Sequence, residues 1–193
     1  MRSMTHDTQR GFTLVEMIVA VALFAVVMLV SVSTLLALVN ANRKAHALQS
    51  VMNNLNIALD GMVRAARMGT VYHCGASGAS APLASSDCSG GDTVFAFEPY
   101  GNIATDQPWV YSYGVDDNGV GRIYKSEEGQ VPIAITSPEV SIEELSFYVI
   151  GTARGDNTQP KVVVVVKGTA GLAQSYKTTF HIQATAVQRV LDL

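Results

Sequence analysis

The sequence predicts an α+β protein in which one long N-terminal helix packs on a C-terminal antiparallel β-sheet domain. An apolar run over residues 12–39 contains a single formal charge, Glu16, and helical spacing of apolar residues continues to Met68. From Thr93 onward the pattern changes to short runs of β-branched and aromatic residues, separated by turn residues. The order of these patterns indicates a helix first and a sheet second.

The apolar run 12–39 is long enough to cross a membrane. Its 28 residues would form about 42 Å of helix, and about 20 apolar residues are enough to span a bilayer. A carboxylate within hydrocarbon costs about 2.5–3.5 kcal/mol. Glu16 therefore either reaches the headgroup interface, four residues after Phe12, or has a function that offsets this cost.

The segment 1–11 is polar and comes before the apolar run. Its charged or titratable residues are Arg2, His6, Asp7 and Arg10. In a secretory signal peptide the small-residue cleavage site follows the apolar region, whereas here the small residue, Gly11, precedes it. A cut after Gly11 would remove a basic leader and leave the apolar helix on the mature chain.

The junction Gly11-Phe12-Thr13-Leu14-Val15-Glu16 resembles the processing site of type IV prepilins and of type II secretion pseudopilins. The resemblance covers residues 1–68. It implies that a prepilin peptidase cuts after Gly11 and that Phe12 becomes the N-methylated new N-terminus. It also implies that Glu16 pairs with the N-terminal amine of a neighbouring subunit, which agrees with the rule that a buried charge is tolerated when it is paired.

The resemblance further implies a structural subunit, not an enzyme, that uses no cofactor. Its implied partners are the prepilin peptidase and methyltransferase, other pilins or pseudopilins, the inner-membrane assembly platform and the lipid bilayer. The chain would cross the inner membrane once, with its C-terminal domain extracytoplasmic, and then enter a periplasmic pseudopilus or a cell-surface pilus. The basic leader agrees with a cytoplasmic N-terminus.

Several patterns resemble the larger minor subunits, of the J-type or PilW-type. These are the hairpin at 109–124, the stretch 145–148 and the closing strand 180–183 with Arg189. Many major pilins carry a proline within the membrane helix, where this chain has Ser33, and a disulfide near the C-terminus. Both departures favour a minor subunit that helps to initiate or cap the filament, while the presence of Glu16 argues against the tip subunit, which lacks this acid.

The segment 69–92 is rich in Gly, Ser and Ala and is predicted to be a loop that contains both cysteines, Cys74 and Cys88. In an oxidising compartment these would form a disulfide, and closing a loop of this length contributes about 3 kcal/mol. Free thiols are an alternative. A metal site with His73 is a weaker one, because structural zinc takes four ligands at tight paired spacings.

The segment 40–68 is predicted to continue the helix with an amphipathic half. Its apolar stripe consists of Ala45, Leu48, Met52, Leu55, Leu59, Met62 and Ala66. This stripe predicts packing against the sheet domain, with a coiled-coil partner as the alternative. Gly69 is expected to end the helix.

The sheet domain, 93–193, is predicted to contain seven strands. They are 93–98, 109–115, 121–125, 131–135, 140–150, 161–167 and 176–187. The five consecutive valines at 162–166 predict a central strand with both faces covered. The sequence Asp116-Asp117-Asn118-Gly119 predicts a turn rather than a calcium loop, because the glutamate that completes an EF-hand loop is missing.

The net charge and the absence of enzyme motifs argue against nucleic-acid binding and catalysis. Removal of the leader leaves 11 basic and 15 acidic residues, a side-chain net charge of −4. Arg64 and Arg67 are expected to lie on a solvated face of the helix. The sequence has no row of basic residues that could follow a phosphate backbone, so nucleic-acid binding is not expected. The sequence has no hydrolase elbow, zinc-protease motif or phosphate loop. Glu143 and Glu144 are adjacent in a strand, so they are expected to point to opposite faces and not to act as a pair.

Three hypotheses follow. The first is a minor pilin or pseudopilin. The second is a filament-displayed or membrane-anchored binding module, such as an adhesin or a DNA-uptake subunit, for which Trp109, Tyr111 and Tyr113 would form the binding face unless they belong to the core. The third is an uncleaved, signal-anchored β domain unrelated to filaments, which the match at Gly11–Glu16 disfavours.

Overall fold

The computed structural model describes residues 11–76, 84–101, 107–155, 158–171 and 177–190. The chain divides into two compact units, Met1–Arg43 and Lys44–Leu193. In the described residues one helix, α1 (Leu14–Met68), precedes nine β-strands, so the predicted α+β class is confirmed. The expected leader lies outside the described residues, except for Gly11.

The strands form two antiparallel sheets instead of the single sheet expected from the sequence. They are β1 (Thr70–Cys74), β2 (Cys88–Asp92), β3 (Val94–Glu98), β4 (Trp109–Val115), β5 (Gly121–Ser126), β6 (Ile133–Ala134), β7 (Val140–Ile150), β8 (Lys161–Ala170) and β9 (Thr178–Val187). One sheet has the order β1-β3-β4-β5-β6, and the other has the order β2-β7-β8-β9. All seven strands predicted from the sequence occur, each with bounds within three residues of the prediction.

The segment 69–92 contains two strands, β1 and β2, where a loop was expected. β1 pairs with β3 at one edge of the five-stranded sheet, and β2 pairs with β7 at one edge of the four-stranded sheet. β2 reads Cys-Ser-Gly-Gly-Asp, a sequence with little β propensity. Pairing with the long strand β7, rather than local preference, therefore makes it a strand, and sequence patterns do not report such pairing.

The helix ends where the sequence predicted. The backbone N–H of Gly69 donates to the carbonyls of Ala65 and Ala66, at 3.1 and 2.9 Å, and this closes the last turn of α1. A side chain at position 69 would collide with the Phe97 ring and the Glu98 carbonyl. Glycine is thus required here because β3 approaches the end of the helix closely.

The C-terminal part of α1 buries an apolar stripe that differs from the predicted one at its N-terminal end. Leu55 and Met62 are buried as expected, together with Leu59 and Ala66. Val51 is 1% exposed, however, while Met52 is 40% exposed. At about 100° per residue, Val51 lies about 40° from Leu55 around the helix and Met52 lies about 60° away on the other side. The Val51 side chain therefore reaches the core, and the stripe prediction was wrong at Met52 and at Ala45, which is exposed.

The valine run 162–166 lies in β8, which pairs with β7 on one side and with β9 on the other. The central position is as predicted, and the core covers one of the two faces that were expected to be covered. Val162, Val164 and Val166 are buried in the core, whereas Val163 and Val165 are half-buried on the outer face. Successive strand residues point to opposite faces, so even a continuous apolar run has one inner and one outer face.

The two sheets share one core. Its aromatic part contains Phe95 and Phe97 of the five-stranded sheet and Phe147 of the four-stranded sheet, and the Phe95 and Phe147 ring centroids are 5.6 Å apart. The two sheets approach closely where Gly121, at the start of β5, lies against the Ile142 carbonyl of β7. A Cβ at position 121 would overlap that carbonyl oxygen, so the absence of a side chain permits this contact.

Candidate functional site

The residues that carry the resemblance lie at the N-terminal end of α1. Gly11 and Phe12 precede the helix in irregular backbone, and the Phe12 side chain is 78% exposed. Apart from Gly11 and its two chain neighbours, no heavy atom of the described part of the chain lies within 4 Å of the position that a Gly11 Cβ would take. The peptide bond between these two residues is therefore outside the hydrogen-bonded helix and open to an enzyme.

Thr13 caps the helix that follows this bond. Its side-chain Oγ1 accepts a hydrogen bond from the Glu16 N–H at 3.3 Å, and its backbone carbonyl accepts one from Met17 at 3.2 Å. A threonine cap with glutamate three residues later is the spacing of a capping box. The cap defines where the helix begins and fixes Glu16 in its first turn, where the helix dipole favours a negative charge.

Glu16 has no ion-pair partner among the described residues. Its apolar neighbours Val15, Met17 and Ile18 are exposed along α1. The structure thus presents an unpaired carboxylate on an apolar helix surface. Such a group needs a cation when the surrounding surface leaves water.

The span that follows is apolar on all sides. An 18-residue window within α1 has a mean hydropathy of 2.7, and none of that window is buried in the structure. By length and composition this helix can cross a membrane. The hydroxyls of Ser31, Ser33 and Thr34 donate to backbone carbonyls one turn earlier, at 2.7–2.9 Å. These polar groups are therefore satisfied within the helix and do not require water.

Cys74 and Cys88 are joined by a disulfide. It links β1 to β2, which are edge strands of the two different sheets. His73 is buried beside it, and its Nδ1 is within hydrogen-bond distance of the Ala84 carbonyl oxygen. No group of three His, Cys, Asp or Glu side chains suited to a metal ion occurs among the described residues. The disulfide therefore excludes free thiols at these two positions, and it excludes a zinc site that uses them as ligands.

The aromatic residues proposed as a binding face belong to the core. Tyr111 is fully buried, and Trp109 and Tyr113 pack against the same core cluster. Burial raises the pKa of the Tyr111 hydroxyl, and the nearby charge of Glu127 raises it further. Lys125 lies with its Nζ 3.7 Å from the centroid of the Trp109 ring. These three residues therefore do not support the binding-module hypothesis.

The Asp116–Gly119 segment forms the predicted turn between β4 and β5. Asp116 accepts hydrogen bonds from the Val120 and Asn118 backbone N–H groups at 2.9 Å, and from the Arg122 guanidinium at 2.9 and 3.0 Å. These donors, the Val120 N–H foremost, lower the pKa of the Asp116 carboxyl below its usual value of 3.8. Arg122 also donates to the Thr136 carbonyl. The carboxylate thus holds the turn together, through its hydrogen bonds to the Asn118 and Val120 N–H groups and to Arg122.

The expectation that Glu143 and Glu144 face opposite sides was wrong. The register between β7 and β8 shifts between Ile142 and Glu144, and this bulge leaves both acids exposed. Glu144 forms an ion pair with Lys167 on the neighbouring strand. His181 is exposed on β9.

Sequence reasoning missed a groove at the C-terminal end of α1. It is lined by Asp60, Val63, Arg64, Arg67, Met68 and Arg189. The sequence indicates only the helical part of this groove, because the spacing of residues 60, 64 and 67 places them on one helix face. The approach of Arg189 from the far end of the chain left no such signal.

Residues 7–32 match the family model of the prokaryotic N-terminal methylation motif. The match includes Gly11, Phe12 and Glu16 and supports a place in the type IV pilin and pseudopilin family. This motif implies processing by a prepilin peptidase and assembly with other pilins, in a family that is structural rather than catalytic. No curated protein and no solved structure matches the chain.

Proposed function

We propose that this chain is a minor pilin or pseudopilin, a structural subunit that helps to initiate or cap a type IV pilus or a type II secretion pseudopilus. The observation that carries the proposal is the methylation motif at 7–32, placed at an exposed junction that leads into an unburied apolar helix. Prepilin peptidase cuts between Gly11 and Phe12, and Phe12 is then N-methylated.

Before assembly, residues 12–39 hold the chain in the inner membrane, with the remainder extracytoplasmic. In the filament this helix leaves lipid and enters a bundle of equivalent helices, where apolar side chains replace lipid as its surroundings. Glu16 then pairs with the methylated amine of a neighbouring subunit. The pair sets the axial register, because an unpaired charge in the bundle is costly in every other register. The assembly platform supplies the force that extracts the helix.

A minor rather than major role is supported by the chain's departures from major pilins. α1 contains no proline from Leu14 to Met68. The disulfide joins residues directly after the helix, not near the C-terminus. The J-type or PilW-type assignment depends on the strand patterns at 109–124 and 145–148, which lie in β4, β5 and β7.

The test is intact mass measurement and N-terminal sequencing of the full chain, expressed with and without a prepilin peptidase. We expect a chain that begins at N-methylphenylalanine, Phe12, only when the peptidase is present. The same cells with an inactive peptidase are the control for other proteolysis. A chain that retains residues 1–11 beside an active peptidase would overturn the proposal and favour the signal-anchored β domain.

A further inference from the structure

The groove at the end of α1 concentrates positive charge. We call it the arginine groove, defined by Asp60, Val63, Arg64, Arg67, Met68 and Arg189, and its volume is about 480 Å³. Residues 12–193 contain six arginines, and three of these line this one groove. All three side chains are exposed. With Asp60 opposing them, the groove carries a formal charge of +2.

The fold holds Arg189 in place beside the helix. The Arg189 backbone N–H donates to the Arg67 carbonyl at 2.9 Å, and the Gln188 N–H donates to the Pro160 carbonyl at 2.9 Å. The Gln159 side-chain amide donates to the carbonyls of Gln188 and Val190, at 2.7 and 2.9 Å. These bonds fix the backbone on both sides of Arg189. The third guanidinium is thus brought to the other two by the fold and not by chance proximity of a loose terminus.

The three guanidinium groups are not neutralised within the described part of the chain. No described carboxylate lies within ion-pair distance of Arg64, Arg67 or Arg189. Elsewhere in the same domain Arg122 and Lys125 are each paired with an acid. Like charges three or four residues apart on a helix repel each other and destabilise it. The groove therefore retains a repulsion that an anionic partner would relieve.

The chemistry of the groove identifies the kind of anion. Guanidinium groups bind carboxylates through two parallel hydrogen bonds, and they are the preferred cations of protein interfaces. Asp60 lies in the groove and would repel a chain of phosphates, but it accepts hydrogen bonds from the backbone N–H groups or basic side chains of a protein. Val63 and Met68 add apolar contact area. These features favour a polypeptide segment over nucleic acid or a lipid headgroup.

We infer that the arginine groove binds an Asp- or Glu-bearing segment of a neighbouring subunit in the filament. The inference rests on the proposed function, since it needs neighbouring subunits. It adds a second polar contact to the Glu16 pair, at the C-terminal end of the same helix. Each subunit would thus make two ionic contacts. The Glu16 carboxylate pairs with the N-terminal amine of a neighbour, and the arginine groove accepts a carboxylate from a neighbour.

Zero-length cross-linking tests the inference in the full chain. The variants Arg64→Lys, Arg67→Lys and Arg189→Lys keep the charge but introduce a primary amine, which a carbodiimide joins to a carboxylate in direct contact. The reaction is run on membranes and sheared filaments from cells that produce the other subunits. Mass spectrometry of the digest locates each amide bond. Lys161 and Lys177 are exposed outside the groove and serve as internal controls.

We expect amide bonds from the introduced lysines to Asp or Glu of another subunit, in yields well above those at Lys161. Links only to Asp60 or to other acids of the same chain, or no excess over Lys161, would overturn the inference. The same digest reports methylation of Phe12. A methylated chain without these links refutes the groove and leaves the proposed function intact, whereas an unprocessed chain refutes both.

Charge reversal gives an independent measurement. Arg64→Glu combined with Arg67→Glu should lower the recovery of the chain in the filament fraction by about tenfold or more, because a charge-assisted contact becomes a repulsive one. Lys161→Glu is the matched control and should leave recovery unchanged. Equal recovery of the two variants, each with an unchanged melting temperature, would contradict the inference.

Discussion

In the proposed filament, the environment of Glu16 changes from exposed to buried. In the structure its carboxylate is exposed in the first turn of α1, without an ion-pair partner among the described residues. In a bundle of apolar helices the carboxylate and the amine that it meets are both desolvated. Removal of one partner of a buried ion pair costs about 3–5 kcal/mol, because the other charge remains.

We therefore expect Glu16→Ala to leave cleavage and methylation at Phe12 intact while lowering incorporation into filaments by about a hundredfold or more. Incorporation is measured as the ratio of sheared-filament protein to membrane protein. Ser33→Ala changes a polar residue on the same apolar span and should have little effect. Normal incorporation of Glu16→Ala would sink the role of Glu16 as the register charge.

Asp116 gives a prediction for pH. Its folded pKa is lowered, first by the Val120 N–H and then by Arg122 and Asn118. A group whose pKa is depressed on folding stabilises the fold above its unfolded pKa, near 3.9, and this contribution is lost as pH falls through the folded value. The Asp116 contribution to the melting temperature of the wild type should therefore be lost as pH falls below about 4.

The Asp116→Asn variant tests this directly. It should melt at a lower temperature at pH 7 and show a smaller further loss between about pH 5 and pH 2. Asp117→Asn, in the same turn but exposed, should follow the wild-type pH profile. Parallel profiles of Asp116→Asn and the wild type would show that this carboxylate does not contribute.

At the level of elements, those with strong local patterns were predictable and those that depend on pairing were not. β4 and β7 were predicted with the bounds that the structure gives, because β-branched and aromatic residues dominate them. β2 was missed because its Gly-Gly sequence has no such pattern and becomes a strand only beside β7. The division into two sheets was missed for the same reason, since it depends on which strands pair.

The residues of the candidate sites were also predictable only where a local sequence pattern identifies them. The junction at Gly11 and Phe12 could be found because prepilin processing reads a contiguous motif. The arginine groove could not, because Arg189 reaches Arg67 through a backbone hydrogen bond over more than a hundred positions of sequence. The bulge that exposes Glu143 was also hidden, because a shift in register breaks the alternation on which sequence reasoning depends.

The buried stripe of α1 provides a test at the level of the element. Met62 is 1% exposed in the shared core, whereas Ile57 is 72% exposed on the same helix. Met62→Ala should lower the free energy of unfolding by about 2–5 kcal/mol, from lost burial and the cavity left behind. Ile57→Ala should change it by less than about 0.5 kcal/mol. Urea unfolding of the detergent-solubilised chain, followed by the fluorescence of its one tryptophan, Trp109, measures both, and equal effects would contradict the assigned face.

At the level of the whole molecule, the two units are built for different surroundings. From Leu14 to Val39 the large apolar side chains of α1 are exposed, while Lys44–Leu193 encloses a core whose fully buried large side chains include six from the two sheets. These are Tyr72, Phe95, Phe97, Tyr111, Ile123 and Phe147. The exposed apolar surface of α1 from Leu14 to Val39 is stable only against lipid or other helices. Under the proposed function, assembly into a filament exchanges lipid for other helices around this apolar surface.

The disulfide cross-links β1 and β2, edge strands of the two different sheets, and its removal is the last prediction. Cys74 and Cys88 are 14 positions apart, and closing a loop of this size restricts the unfolded chain by about 3 kcal/mol. Cys74→Ala with Cys88→Ala should lower the free energy of unfolding by about that amount, while the aromatic core, which crosses between the sheets without it, keeps the domain folded. Urea unfolding with Trp109 fluorescence measures the loss, and the wild type treated with a reductant should match the double variant. Because the link forms in an oxidising compartment, wild-type chains kept in the cytoplasm should show the stability of the variant. Free thiols at Cys74 and Cys88 in the normally membrane-anchored wild type would contradict an extracytoplasmic domain.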